Sequence, residues 1–216
     1  MRKLFVLTIC LLMAILPACS KAQSQAPANA LYFDNFSNTN SGWTTFNTAN
    51  GVGEYADGGF HILVNKPATL LISSPGKDFA GDVSIEVDAH KIGGSNDNYY
   101  GVVCHYKDPN NYYLFMITSD GFAGIAMWKG GEYRLISPGV KFVKMDGIKL
   151  GKATNHIRVD CIGEKLTLYA NGKQVSLAYD HNLTGGGVGI AVLSSKLEAS
   201  TDISFDNFTV MPVAQP

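Results

Sequence analysis

From residue 31 onward, apolar side chains recur at every second position. Phe60, Ile62 and Val64 alternate with His61, Leu63 and Asn65. Val83, Ile85, Val87 and Ala89 alternate with Ser84, Glu86, Asp88 and His90. Ile157, Val159 and Cys161 alternate with His156, Arg158 and Asp160, and Leu166, Leu168 and Ala170 with Lys165, Thr167 and Tyr169. A period of two is the mark of half-buried β-strands. No window of a dozen residues carries a capped helical stripe. Turn residues punctuate the runs: Asp57-Gly58-Gly59, Ser119-Asp120-Gly121, Gly130-Gly131 and Gly163-Glu164. Asn171-Gly172 is the sharpest, because both residues tolerate the positive φ of a type I′ hairpin turn. The spacing predicts about thirteen strands between Tyr32 and Met211, an all-β antiparallel sandwich.

Composition narrows this further. Hydrophobic residues are 46% and charged residues only 16% of 216, with 23 Gly. A disordered chain needs the opposite balance. With 17 Lys+Arg against 18 Asp+Glu there is no basic footprint, so no nucleic-acid partner is expected. Part of the apolar content belongs to the N-terminus. Arg2 and Lys3 precede an uncharged run from Leu4 to Leu16. That run is too short to span a bilayer, which needs about 20 residues, and fits a secretory signal.

Leu16-Pro17-Ala18-Cys19 resembles a bacterial lipobox. The resemblance implies cleavage of residues 1–18 and acylation of Cys19. Two or three acyl chains anchor a protein stably where a single chain does not. The expected location is then the cell membrane or outer membrane, lipid-anchored and extracytoplasmic. Loss of Arg2 and Lys3 leaves 15 positive against 18 negative charges, a net of −3. Residues 19–30 read as the lipidated Cys and a flexible tether of small and polar residues. Residues 31–212 form the domain and 213–216 a tail. In an exported chain, the remaining pair Cys104 and Cys161 is expected as a disulfide. There is no CxxC or HxxxH, so no metal site is read.

The two ends echo each other, with FDNF at 33–36 and again at 205–208, which suggests that the terminal strands pair. The order DNFS…GW, EYADGGFHI, DVSIEVDAHKIGG, YYGVVCHYKDPNNYYLFMITSDGFAGI, NHIRVDCIGEKLTLYANGK and ISFDNFTV resembles the concanavalin A-like jelly roll of bacterial secreted proteins. Within that superfamily it is similar to the 3-keto-disaccharide hydrolase domain and to laminin-G-like modules. The resemblance covers residues 31–212. Its motifs are packing and turn residues, which specify fold better than activity.

Candidate chemistry falls in two groups. Glu86, Asp88 and His90 project from one strand face. Related glucanases place Glu-x-Asp-x-x-Glu or Glu-x-Asp-x-Glu there, and retention needs two carboxyls about 5–5.5 Å apart. Here the last position is His90 or Lys91, so the acid/base is missing. His156, Arg158 and Asp160 form a second polar strand face, and His105 is expected opposite an inward Cys104.

The other group is aromatic. Flat rings beside amides and carboxylates suit sugars, and Tyr99, Tyr113, Trp128 and Tyr133, with Arg158, are the candidate ligand-binding residues. Trp43 is expected in the core. Asn96, Asp97, Asn98, Asp34 and Asp206 offer oxygens to a structural calcium ion without an EF-hand register, and no other cofactor is implied. Gly185 to Gly189 lacks the Lys and Ser/Thr of a phosphate loop and reads as the lead-in to a strand from Val188 to Leu193. The favoured reading is a membrane-anchored module binding carbohydrate or a cell-envelope partner. Its alternatives are a glycoside or 3-keto-disaccharide hydrolase-like enzyme, and an interaction lipoprotein with no small ligand.

Overall fold

The computed structural model describes residues 24–197 and 200–213. The signal segment, Cys19 and most of the 213–216 tail lie outside the described residues. Two antiparallel sheets stack face to face. The first runs β15 (Lys173–Tyr179), β14 (Lys165–Ala170), β13 (Thr154–Ile162), β7 (Val83–Gly94), β17 (Thr201–Pro212), β4 (Gly59–Val64), β3 (Gly51–Ala56), β2 (Phe46–Thr48), with β1 (Tyr32–Asp34) also on β17. The second runs β11 (Glu132–Leu135), β10 (Phe122–Lys129), β9 (Asn111–Thr118), β8 (Tyr99–Asp108), β16 (Gly186–Leu193), β5 (Leu70–Ser73). In that sheet β12 (Val143–Lys144) adds to β10 and β6 (Asp78–Phe79) to β16. Among the described residues there are seventeen strands, more than the thirteen expected. The surplus includes β6 and β12, which span two residues each and are too short to show a period.

The alternating runs face inward as read. Val83, Ile85, Val87 and Ala89 of β7 and Ile157, Val159 and Cys161 of β13 are buried in one core with Phe60, Ile62 and Val64. Trp43 joins them, its Nε1 donating to Asp34 at 2.9 Å. At the hairpin joining β14 and β15, Asn171 and Gly172 both have positive φ, 51° and 81°. The terminal strands do pair, Asp34 facing Phe208 and Tyr32 facing Val210. The strand β16 starts at Gly186, two residues before the expected Val188.

Cys104 on β8 and Cys161 on β13 are joined, so the disulfide ties one sheet to the other across the core. The reading of His105 is corrected. A bulge, with φ of 51° at His105, interrupts the alternation, and both Cys104 and His105 are buried. His105 Nδ1 bonds the Leu183 carbonyl at 3.0 Å, and burial holds its pKa down.

The two outer faces differ. Outward positions of β7 and β13 are polar. Outward positions of the second sheet are apolar: Val103, Tyr112, Leu114, Met116, Ala126 and Ala191 form a second buried cluster. The outer side of the second sheet is thus apolar where that of the first is polar.

Candidate functional site

The apolar outer face holds a groove of about 740 Å³, within the range of small-molecule sites. Its floor is Leu114 on β9. Leu70, Leu193 and Tyr99 stand side by side on β5, β16 and β8, fixed by direct pairing of Leu193 with both neighbours. At the other end Trp128 pairs directly with Tyr133 on one side and Tyr112 on the other. Tyr112 stacks nearly parallel to Trp128, centroids 6.1 Å apart and planes 14° apart, while Tyr133 meets Trp128 edge-on at 5.6 Å. The indole is thus held between two rings, a rigid platform with little rotamer entropy to lose on binding.

Phe142 completes the wall. It comes from the connection after a short 3₁₀ turn at Pro138–Val140, not from a strand of the sheet. Its ring packs 4.7 Å from Tyr99 and lies over Gly124, where a Cβ would sit 2.8 Å from the ring. Only a glycine leaves that space. The polar lining is Asp97, Ser194, Ser195 and Lys196. Ser194 Oγ is committed to the Lys66 carbonyl at 2.5 Å. Burial raises the pKa of Tyr99, with Asp97 and Asp120 adding to it, and burial raises that of Tyr133 too. Both phenols stay neutral donors at physiological pH.

Tyr99, Trp128 and Tyr133 therefore meet in one groove, as half-buried or exposed side chains. Tyr113 does not. Its ring is fully buried in the core, and its hydroxyl donates to Asp180 while accepting from the Leu183 N–H at 3.0 Å. The reason is that β9 is buried on both faces, so neighbouring tyrosines point to different interiors.

Arg158, Glu86, Asp88 and His90 lie on the opposite outer face. Pairing of β7 with β13 sets Asp88 opposite His156 and Glu86 opposite Arg158. His156 Nδ1 is 2.8 Å from Asp88, and its Nε2 is 3.5 Å from Glu86. Asn207 donates to the other Asp88 oxygen at 2.9 Å. The hydrogen bond to Asp88 raises the His156 pKa against the effect of burial, and that of Asp88 falls in return. Arg158 lies over the Tyr169 ring at 3.9 Å and donates to Asp160 at 3.2 Å. His90 bonds Thr154 at 3.1 Å. The two carboxylates share one imidazole and face away from the aromatic groove, so the polar and aromatic candidates make two sites, not one.

Several of the candidate calcium oxygens already have partners. Asp34 is committed to Trp43 and to the Phe36 N–H, Asn96 to Lys91, and Asn98 to the Ser195 N–H at 2.6 Å. Among the described residues, Cys104, His105 and Cys161 cluster as metal ligands do, but their sulfurs are joined.

No protein-family model and no curated protein matches the chain. Solved structures do. A Bacillus subtilis protein of unknown function with a galectin-like fold is 10% identical, with a TM-score of 0.63, covering 90% of this chain and 99% of that one. A Bacillus licheniformis beta-glucanase is 10% identical at a TM-score of 0.60, covering 84% and 98%. The carbohydrate-binding module CBM66 from Bacillus subtilis is 20% identical at 0.53, covering 79% and 96%. At such identities the likeness shows the fold, a jelly-roll β-sandwich.

Proposed function

We propose that this chain is a carbohydrate-binding jelly roll, held at a membrane by acylated Cys19 and using the Tyr99–Trp128–Tyr133 groove. The observation that carries the reading is the groove itself: three separately placed aromatic residues converge, with Phe142, on a concave site of suitable volume. An interaction protein with no small ligand would not need this. Similarity of fold to a carbohydrate-binding module supports the same reading.

The hydrolase alternative has less footing. Retaining hydrolysis needs a pair of carboxyls flanking the bond. Among the described residues Asp97 is the one carboxylate lining the groove, while Glu86 and Asp88 sit across the sandwich, bonded to His156.

The test is a glycan array and a panel of purified cell-wall polysaccharides, probed with wild type and Trp128→Ala. A saturable ligand lost in the variant supports the reading, and a wild type silent across both panels refutes it. Anchoring is tested separately: Cys19→Ala should abolish acylation, and globomycin should make the precursor accumulate.

A further inference from the structure

The two ends of the groove differ in chemistry. At one end stand the rings of Trp128 and Tyr133. At the other, Leu193 pairs directly with Leu70 and with Tyr99, and all three side chains are half-buried. An unsubstituted sugar suits the rings, which take its C–H face. It does not suit the leucines, because burying a hydroxyl without a hydrogen-bond partner costs free energy. An apolar substituent on the sugar matches them instead.

Two polar groups stand beside the leucine pair. Asp97 lies in the turn before β8, and Ser95 donates to one of its oxygens. Among the described residues, no protein group is hydrogen-bonded to the second Asp97 oxygen or to the Tyr99 hydroxyl. The two are close enough for the Asp97 charge to help hold the proton on Tyr99. One open acceptor and one open donor thus flank an aliphatic surface. An acetamido group carries the complement: an N–H, a carbonyl and a methyl. The charged side chains lining the groove are Asp97 and Lys196, one of each sign, which favours a neutral ligand.

We propose that the groove selects neutral glycans carrying acetamido sugars. The methyl rests on Leu70 and Leu193, the carbonyl accepts from Tyr99 and the N–H donates to Asp97. The inference rests on the carbohydrate reading above and narrows it to a substrate class.

The experiment titrates each glycan that binds on the array beside a counterpart differing only at C2, acetamido against hydroxyl. Chitohexaose with cellohexaose, and N-acetyllactosamine with lactose, are included from the start. One apolar group in a matched pocket is worth about 10–200-fold, so the acetamido member should bind about tenfold tighter or more. Tyr99→Phe keeps the ring and removes the donor, and Leu193→Ser removes the apolar seat on the outer side of β16. Each should cut the acetamido-to-hydroxyl ratio several-fold, with a melting curve to show that the variant is folded. Equal binding within pairs, or hits confined to glycans without acetamido groups, overturns the inference and leaves the carbohydrate reading standing. So does a ratio unchanged in both variants. A wild type silent on every glycan overturns the inference and the reading together.

Discussion

Removing the disulfide perturbs the fold in a way whose size follows from the chain path. Cys104 and Cys161 close a loop of 57 residues and join strands in different sheets. In the chain-entropy account, a loop of this length restricts the unfolded chain enough to favour folding by about 4 kcal/mol. For a domain of this size each kcal/mol moves Tm by roughly 2–4 °C. The variant Cys104→Ala/Cys161→Ala should therefore melt about 8–16 °C lower. Both sulfurs are fully buried, so a cavity contributes as well. A second variant, Cys104→Ala/Cys161→Val, refills part of it. If loop closure dominates, both variants lose similar stability in urea titration, with the m-value rising because the unfolded chain expands. A loss under about 1 kcal/mol in both would refute the reasoning. So would a loss in the alanine variant that valine restores.

Other outcomes follow from the two faces. The His156 pKa is raised by Asp88 and Glu86, so its stabilisation is complete below about pH 6.5 and fades as pH climbs through the folded value. Asp88 is lowered, so its share holds above about pH 4 and is lost as pH falls through its folded value. Urea midpoints should peak between these limits, modestly because the His156 side chain is 44% exposed, and His156→Gln should flatten the alkaline limb. Gly124→Ala should push Phe142 off its seat, since the added carbon would lie 2.8 Å from the ring. Ligand affinity should drop several-fold, while calorimetric stability changes by less than about 2 kcal/mol because the clashing group is a side chain.

Much of the fold is legible in the alternation. The runs in β7 and β13 state which residues face the core, Asn171-Gly172 marks a hairpin, and the repeated FDNF marks paired ends. What alternation cannot say is which sheet a strand joins. Glu86 and Trp128 both read as outward-facing, yet they lie on opposite faces because β7 and β10 belong to different sheets. Nor does it resolve a strand buried on both sides, and so Tyr113 reads as a binding residue when Tyr112 and Leu114 are the outward neighbours. Phe142 carries no such signal in the sequence because it comes from a connection with no period, and only the open space over Gly124 shows why it fits. A bulge at His105 defeats the same logic by inserting a residue into the count.

On the proposed reading the aromatic groove, and not the polar face behind it, binds carbohydrate. Isothermal titration of a polysaccharide identified by the screen tests it most directly, with wild type, Trp128→Ala and Glu86→Gln side by side. Trp128 is held between Tyr112 and Tyr133, so its truncation should cost about 2 kcal/mol, roughly a 30-fold weaker Kd. Glu86→Gln, across the sandwich, should bind as wild type does. Binding that survives Trp128→Ala and is lost in Glu86→Gln would place the ligand on the polar face instead.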